Sequence, residues 1–169
     1  MKDPCSEFRP IVLIAQHDED DLTILKNASE KYNKYDVVTA RTGQEVVDSI
    51  NDTCFDAVII GLRFEDLTGS TLAYLIHGFD PLIKIAFLTT YNTVSLIEAV
   101  KSLDCEYLDK EKEMQNLDTL CEKIYHIATE IPCVDKLRIS GRKSSEEYRN
   151  RYKEYKVLSI PSAIKAGSR

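Results

Sequence analysis

Three short apolar runs, IVLIA at 11–15, AVII at 57–60 and IAFL at 85–88, carry no polar alternation. A strand with one face in water alternates apolar and polar residues, so runs that are apolar at every position are strands covered on both faces. Only a parallel sheet flanked by helices meets that condition easily. The intervening segments have helical spacing: Leu22, Leu25 and Ala28 after an acidic start; Val46, Val47 and Ile50 after Thr42; Leu72, Leu75 and Ile76 after Ser70; Val94, Ile97, Ala99 and Val100 after Asn92. Weaker strands at about 35–40 and 106–108, and a last helix at about 117–130 with Leu120, Ile124 and Ile127 on one face, bring the prediction to five strands and five helices. In such a doubly wound α/β sheet the functional crevice lies beyond the carboxyl ends of the strands.

The chain has 169 residues, 43% of them hydrophobic, enough for one core-forming domain and an appendage. No apolar run approaches the roughly 18 residues needed to cross a bilayer, so a membrane-spanning reading is excluded. The N-terminal MKDPCSEFRP has acids and a Pro where a secretory signal needs a basic start and an apolar stretch, which predicts a cytoplasmic protein. Five cysteines, Cys5, Cys54, Cys105, Cys121 and Cys133, are an odd number with no C-x-x-C pair, against a disulfide framework or a zinc site. They read as small buried or neutral residues.

The net charge of −6 hides an asymmetry. Residues 1–132 carry 12 basic and 24 acidic side chains, whereas residues 133–169 carry 10 and 4. With Pro132 near the change of sign, the expected organisation is a leader at 1–9, one domain at 10–131 and a basic extension at 132–169.

Four stretches in order resemble the receiver domain of two-component response regulators: IVLIAQHDEDDLTILKNA for the first strand, acidic turn and first helix; DAVIIGLRFEDLTG for the third strand and its loop; FLTTY for the fourth strand; EYLDKE for the fifth. The resemblance covers about residues 10–130 and implies a flavodoxin-like receiver fold. It also implies a pocket in which two acids after the first strand hold Mg²⁺, an Asp after the third accepts a phosphoryl group from a histidine kinase, and a hydroxyl and a lysine bind that group.

Here the acid-pair positions are Gln16 and His17, and the acceptor position is Gly61. Glycine has nothing to phosphorylate, and Mg²⁺ wants hard oxygen ligands that an amide and a neutral imidazole do not replace. Thr89, Lys110 and the switch aromatic Tyr107 are the pocket positions that keep the family's residue type. Glu111 follows Lys110 where the family has Pro, which predicts a trans bond and a shifted loop. Of the acids nearby, Asp20 and Asp21 fall where a helix N-cap and first turn favour them, and Asp66 lies several residues beyond the acceptor position. No nucleophile motif, phosphate-cradling loop or metal-ligand cluster stands elsewhere, so neither an enzyme nor a cofactor or metal is expected.

Partner binding is the remaining function. In the family a face built from the fourth helix, fifth strand and fifth helix meets partners or a second receiver; here it includes Tyr91, Ser95, Glu98, Lys101 and Tyr107. In the extension, Ser144 followed by Glu146 and Glu147 predicts a helix to about residue 158. Tyr148, Tyr152 and Tyr155 share one face of it, with Arg149, Arg151, Lys153 and Lys156 around them. The tyrosines fit docking on the chain's own acidic domain or on a second copy. Basic residues with stacking aromatics fit nucleic acid as the alternative. The expectation is an atypical, phosphorylation-independent receiver that binds a protein, such as a regulator or kinase, with homodimerisation as a further option; the alternative is a nucleic-acid-associated regulator working through its tail.

Overall fold

The computed structural model describes residues 9–53, 55–80 and 83–130. The order is β1 (Ile11–Ala15), α1 (Glu19–Tyr32), β2 (Asp36–Ala40), α2 (Gly43–Asp52), β3 (Ala57–Ile60), α3 (Gly69–Phe79), β4 (Lys84–Thr89), α4 (Val94–Ser102), β5 (Glu106–Asp109), α5 (Lys110–Glu113) and α6 (Leu117–Ala128). The strands form one parallel sheet in the order β2-β1-β3-β4-β5. This is the doubly wound parallel sheet expected from the three apolar runs, in the flavodoxin-like form that the resemblance implies. The addition is α5, a single turn of sequence KEKE with no apolar stripe to signal it.

The absence of alternation in β1, β3 and β4 has the expected cause, since successive side chains enter two different cores. Leu13, Val58, Ile60, Ile85 and Phe87 meet Val46, Ile50, Leu72 and Ile76 of α2 and α3 on one face. Val12, Ile14, Ile59, Ala86 and Leu88 meet Leu22 and Leu25 of α1 and Leu120, Ile124 and Ile127 of α6 on the other. The sheet-edge strands β2 and β5 keep exposed positions, as edges do.

Five helices begin at a side-chain cap. Asp18, Thr42, Thr68, Thr93 and Asn116 accept from the backbone N–H of Asp21, Glu45, Thr71, Leu96 and Thr119, each satisfying a donor the helix leaves unpaired. The cap of α1 is therefore Asp18 rather than Asp20, and Asp20 and Asp21 lie in its first turn. Three expected inward positions also differ, Ala99 being exposed as well. Ala73, not Leu75, joins Leu72 and Ile76 in the core, and in α4 Val100 is buried while Val94 is 71% exposed. Among the described residues no helix is long and apolar enough to cross a membrane. The expected helix at 144–158, Cys5, Cys54 and Cys133 lie outside the described residues.

Candidate functional site

Parallel strands point their carboxyl ends the same way, and there the fold brings together Gln16, Gly61, Thr89, Tyr107 and Lys110. Gly61 follows β3 and extends its ladder, its N–H donating to the Ala15 carbonyl at 2.9 Å. A Cβ placed on it would stand 3.3 Å from Gln16 Oε1, so the glutamine side chain occupies the space in front of it. Gln16 itself is only 2% exposed. Its amide oxygen accepts from Lys110 Nζ at 3.1 Å, and its amide nitrogen donates to the Leu88 carbonyl at 3.4 Å.

Lys110 has a second, charged partner. Its ammonium pairs with Asp21 Oδ2, the two side chains being 16% and 30% exposed. The acidic start of α1 places Asp21 one turn past the Asp18 cap and over the end of β5. Asp18 is drawn on differently: backbone N–H groups of the first turn, chiefly that of Asp21, hold its carboxyl below the usual range, with a smaller contribution from Lys110. His17 beside it is exposed.

On the other side of the pocket three contacts fix Tyr91. Its N–H donates to Thr89 Oγ1 at 3.2 Å, its carbonyl accepts from the Tyr107 hydroxyl at 2.8 Å, and the Arg63 guanidinium lies 5.2 Å from its ring centroid. Desolvation, then Asp109, raise the Tyr107 hydroxyl above its ordinary pKa, so it remains a donor. Tyr91 as a residue stays 47% exposed. Ser95, Glu98 and Lys101 are exposed along α4, with Lys101 in its last turn and thus away from the pocket. Tyr148, Arg149, Arg151, Tyr152 and Tyr155 lie outside the described residues.

Two other acids close in sequence to Gly61 are committed elsewhere. Asp66 accepts from the N–H groups of Gly43 at 2.7 Å and Gln44 at 2.9 Å, beside the Thr42 cap of α2, and those bonds hold its carboxyl below the usual range. Asp56 is fully buried at the opposite end of β3, where Oδ2 accepts from the Ile11 N–H at 2.8 Å. The five residue steps from Asp56 to Gly61 span about 16 Å of extended chain. Gly69 closes the loop after β3. A Cβ there would come within 2.2 Å of the Gly61 carbonyl oxygen, so only glycine lets α3 begin this close to the strand end.

The Mg²⁺ implied by the resemblance does not fit this donor set. Gln16 Oε1 already faces an ammonium, His17 is an exposed imidazole rather than a carboxylate, and Gly61 offers no side chain. Among the described residues no group of three or more His, Cys, Asp or Glu could hold a metal ion. Sequence reasoning missed Asp21 as the partner of Lys110 and Arg63 as the partner of Tyr91. Four consecutive acids at a helix start conceal which of them turns inward, and Arg63 stands in a loop with no periodicity to orient it.

The family model for the response regulator receiver domain matches residues 12–122. The chain is 27% identical over 128 residues to the transcriptional regulatory protein ZraR of Escherichia coli K12, covering 73% of this chain and 29% of that protein. It is 25% identical over 83 residues to the regulatory protein LuxO of Vibrio vulnificus, covering 48% and 18%. The chain thus spans less than a third of the length of these curated relatives. Among solved structures, a two-component response regulator from Clostridium difficile superposes with a TM-score of 0.65 at 23% identity, covering 72% of this chain and 98% of that one. The Vibrio cholerae chemotaxis protein CheY4 does so with a TM-score of 0.63 at 18% identity, covering 71% and 99%. These structural likenesses concern the fold.

Proposed function

Because this chain belongs to the response regulator receiver domain family, we propose that it serves two-component signalling as a cytoplasmic pseudo-receiver, acting without phosphorylation and through protein–protein interaction. The observation that carries this reading is the Gln16–Lys110–Asp21 arrangement in front of Gly61. The acceptor position has no carboxylate, the space before it holds an amide, and the lysine that would meet a phosphoryl group is satisfied by Asp21. The reaction's nucleophile, metal ligands and phosphate counter-ion are all replaced or engaged.

What remains is a surface. Tyr91 is held at its backbone and ring yet half exposed, beside the outward-facing Val94. Anchored aromatics of this kind make interface hot spots, because little side-chain entropy is left to lose on binding. The partner class is a protein such as a regulator or kinase, with a second copy of the chain as a further candidate. Affinity capture from the source cells with the full chain tests this. Tyr91→Ala and Lys101→Glu are expected to lose the captured partner, and acetyl phosphate with Mg²⁺ to leave capture by the parent chain unchanged. Undiminished recovery with both variants, or capture that depends on acetyl phosphate, contradicts it.

A second reading, a nucleic-acid-associated regulator, draws support from the 10 basic and 4 acidic residues of 133–169 and from the likeness to proteins named as transcriptional regulators. It places binding in the extension. The first reading is preferred because the Gln16–Lys110–Asp21 contacts and the anchored Tyr91 support it directly.

A further inference from the structure

The contacts around the pocket close into a ring. Asp21 pairs with the Lys110 ammonium, which also donates to Gln16 Oε1; the other end of the same amide donates to the Leu88 carbonyl. Leu88 precedes Thr89, whose Oγ1 accepts from the Tyr91 N–H, and the Tyr91 carbonyl accepts from the Tyr107 hydroxyl. Tyr107 lies three residues before Lys110, where β5 passes into α5. The ring joins α1, β1, β4 and β5 and has the exposed Tyr91 on its rim.

An ammonium has three donors to place, and here one partner is a charge and the other a neutral amide. Without the Asp21 carboxylate a largely desolvated cation would keep Gln16 alone, and it would have to turn toward water. That movement takes away the donor that orients the Gln16 amide, and with it the bond on Leu88 next to the Thr89–Tyr91 turn. Resting on the reading above, we propose that Asp21 and Gln16 form an internal latch on Lys110, which holds the Tyr91 face in one arrangement without any covalent signal. Asp21 is thus a positioning residue for the partner surface, acting through Lys110.

The test is amide hydrogen exchange by NMR on the full chain, comparing the parent with D21N, K110M and the double variant. Asp21 is on the surface side of the pair and its N–H bond to Asp18 does not depend on its charge, so D21N keeps the helix start. Both single variants are expected to speed exchange at the Tyr91 amide at least tenfold, to leave Val58 and Ile59 in β3 within twofold, and to give no further acceleration when combined. Unchanged exchange at Tyr91, equal acceleration throughout β3, or single effects that multiply in the double variant would each overturn the latch. Those outcomes leave the partner-binding reading standing, whereas a phosphoryl adduct would remove that reading and leave the exchange result intact.

Discussion

Gly61 and Gly69 lie on the same loop and differ in what surrounds them. A Cβ on Gly61 meets the tip of a glutamine at 3.3 Å, and a side-chain amide can move by a few tenths of an ångström. A Cβ on Gly69 meets a backbone oxygen at 2.2 Å, and neither α3 nor β3 can retreat without losing core contacts. Gly69→Ala is therefore expected to cost about 3 kcal/mol, at the upper end of ordinary overpacking, measured by chemical denaturation. Gly61→Asp is expected to fold but to take no phosphoryl group from acetyl phosphate, because Gln16 and His17 still supply no carboxylate for Mg²⁺. Combined with Gln16→Asp and His17→Asp it is expected to gain one phosphoryl adduct by intact mass. At Cys105, burial and then the Asp104 charge push the thiol up to about 12, so the folded protein should leave this residue unmodified by iodoacetamide at pH 8 while the denatured protein alkylates it. That Gln16, His17 and Gly61 stand at the positions the resemblance assigns to carboxylates was legible in the sequence. The Lys110–Asp21 pair was not, because only tertiary packing selects one acid from the four that open α1.

Helix starts carry the acid sensitivity of the fold. Asp18 caps α1 and Asp66 accepts from the first two N–H groups of α2, and backbone N–H groups depress both carboxyls in the folded state. A depressed folded-state value stabilises above the unfolded pKa of about 3.9, and that stabilisation is lost as pH falls through the lower folded value. Thermal midpoints of the parent should accordingly fall below about pH 4, and Asp66→Asn should flatten that acid limb while lowering stability at pH 7. An identical slope in the variant would remove Asp66 from the account. Strands β1, β3 and β4 were legible because residues buried on both faces leave an unbroken apolar run. The face of α4 was not, since its apolar residues exceed what its contact with the sheet can bury: Leu96 and Val100 turn inward and Val94 outward. Nothing in the periodicity distinguishes a surplus apolar residue from a core one. The one-turn α5 is invisible for the opposite reason, having no apolar residue at all.

Charge is uneven along the chain, 12 basic and 24 acidic residues in 1–132 against 10 and 4 in 133–169, and the two readings of function assign the basic stretch different work. If it binds nucleic acid through its cations, complex mobility on gels should depend steeply on salt, and removing 133–169 should abolish both the shift and its salt dependence. On the preferred reading a random-sequence duplex gives no retained complex at 150 mM salt with or without the extension. The central claim concerns the pocket itself. Its most direct test is the intact mass of the full chain after incubation with acetyl phosphate and Mg²⁺, compared with Asp56→Asn, which removes the buried acid just before β3. The account predicts an unchanged mass for both proteins; a stoichiometric phosphoryl adduct on the parent chain, and above all one that Asp56→Asn removes, would contradict it.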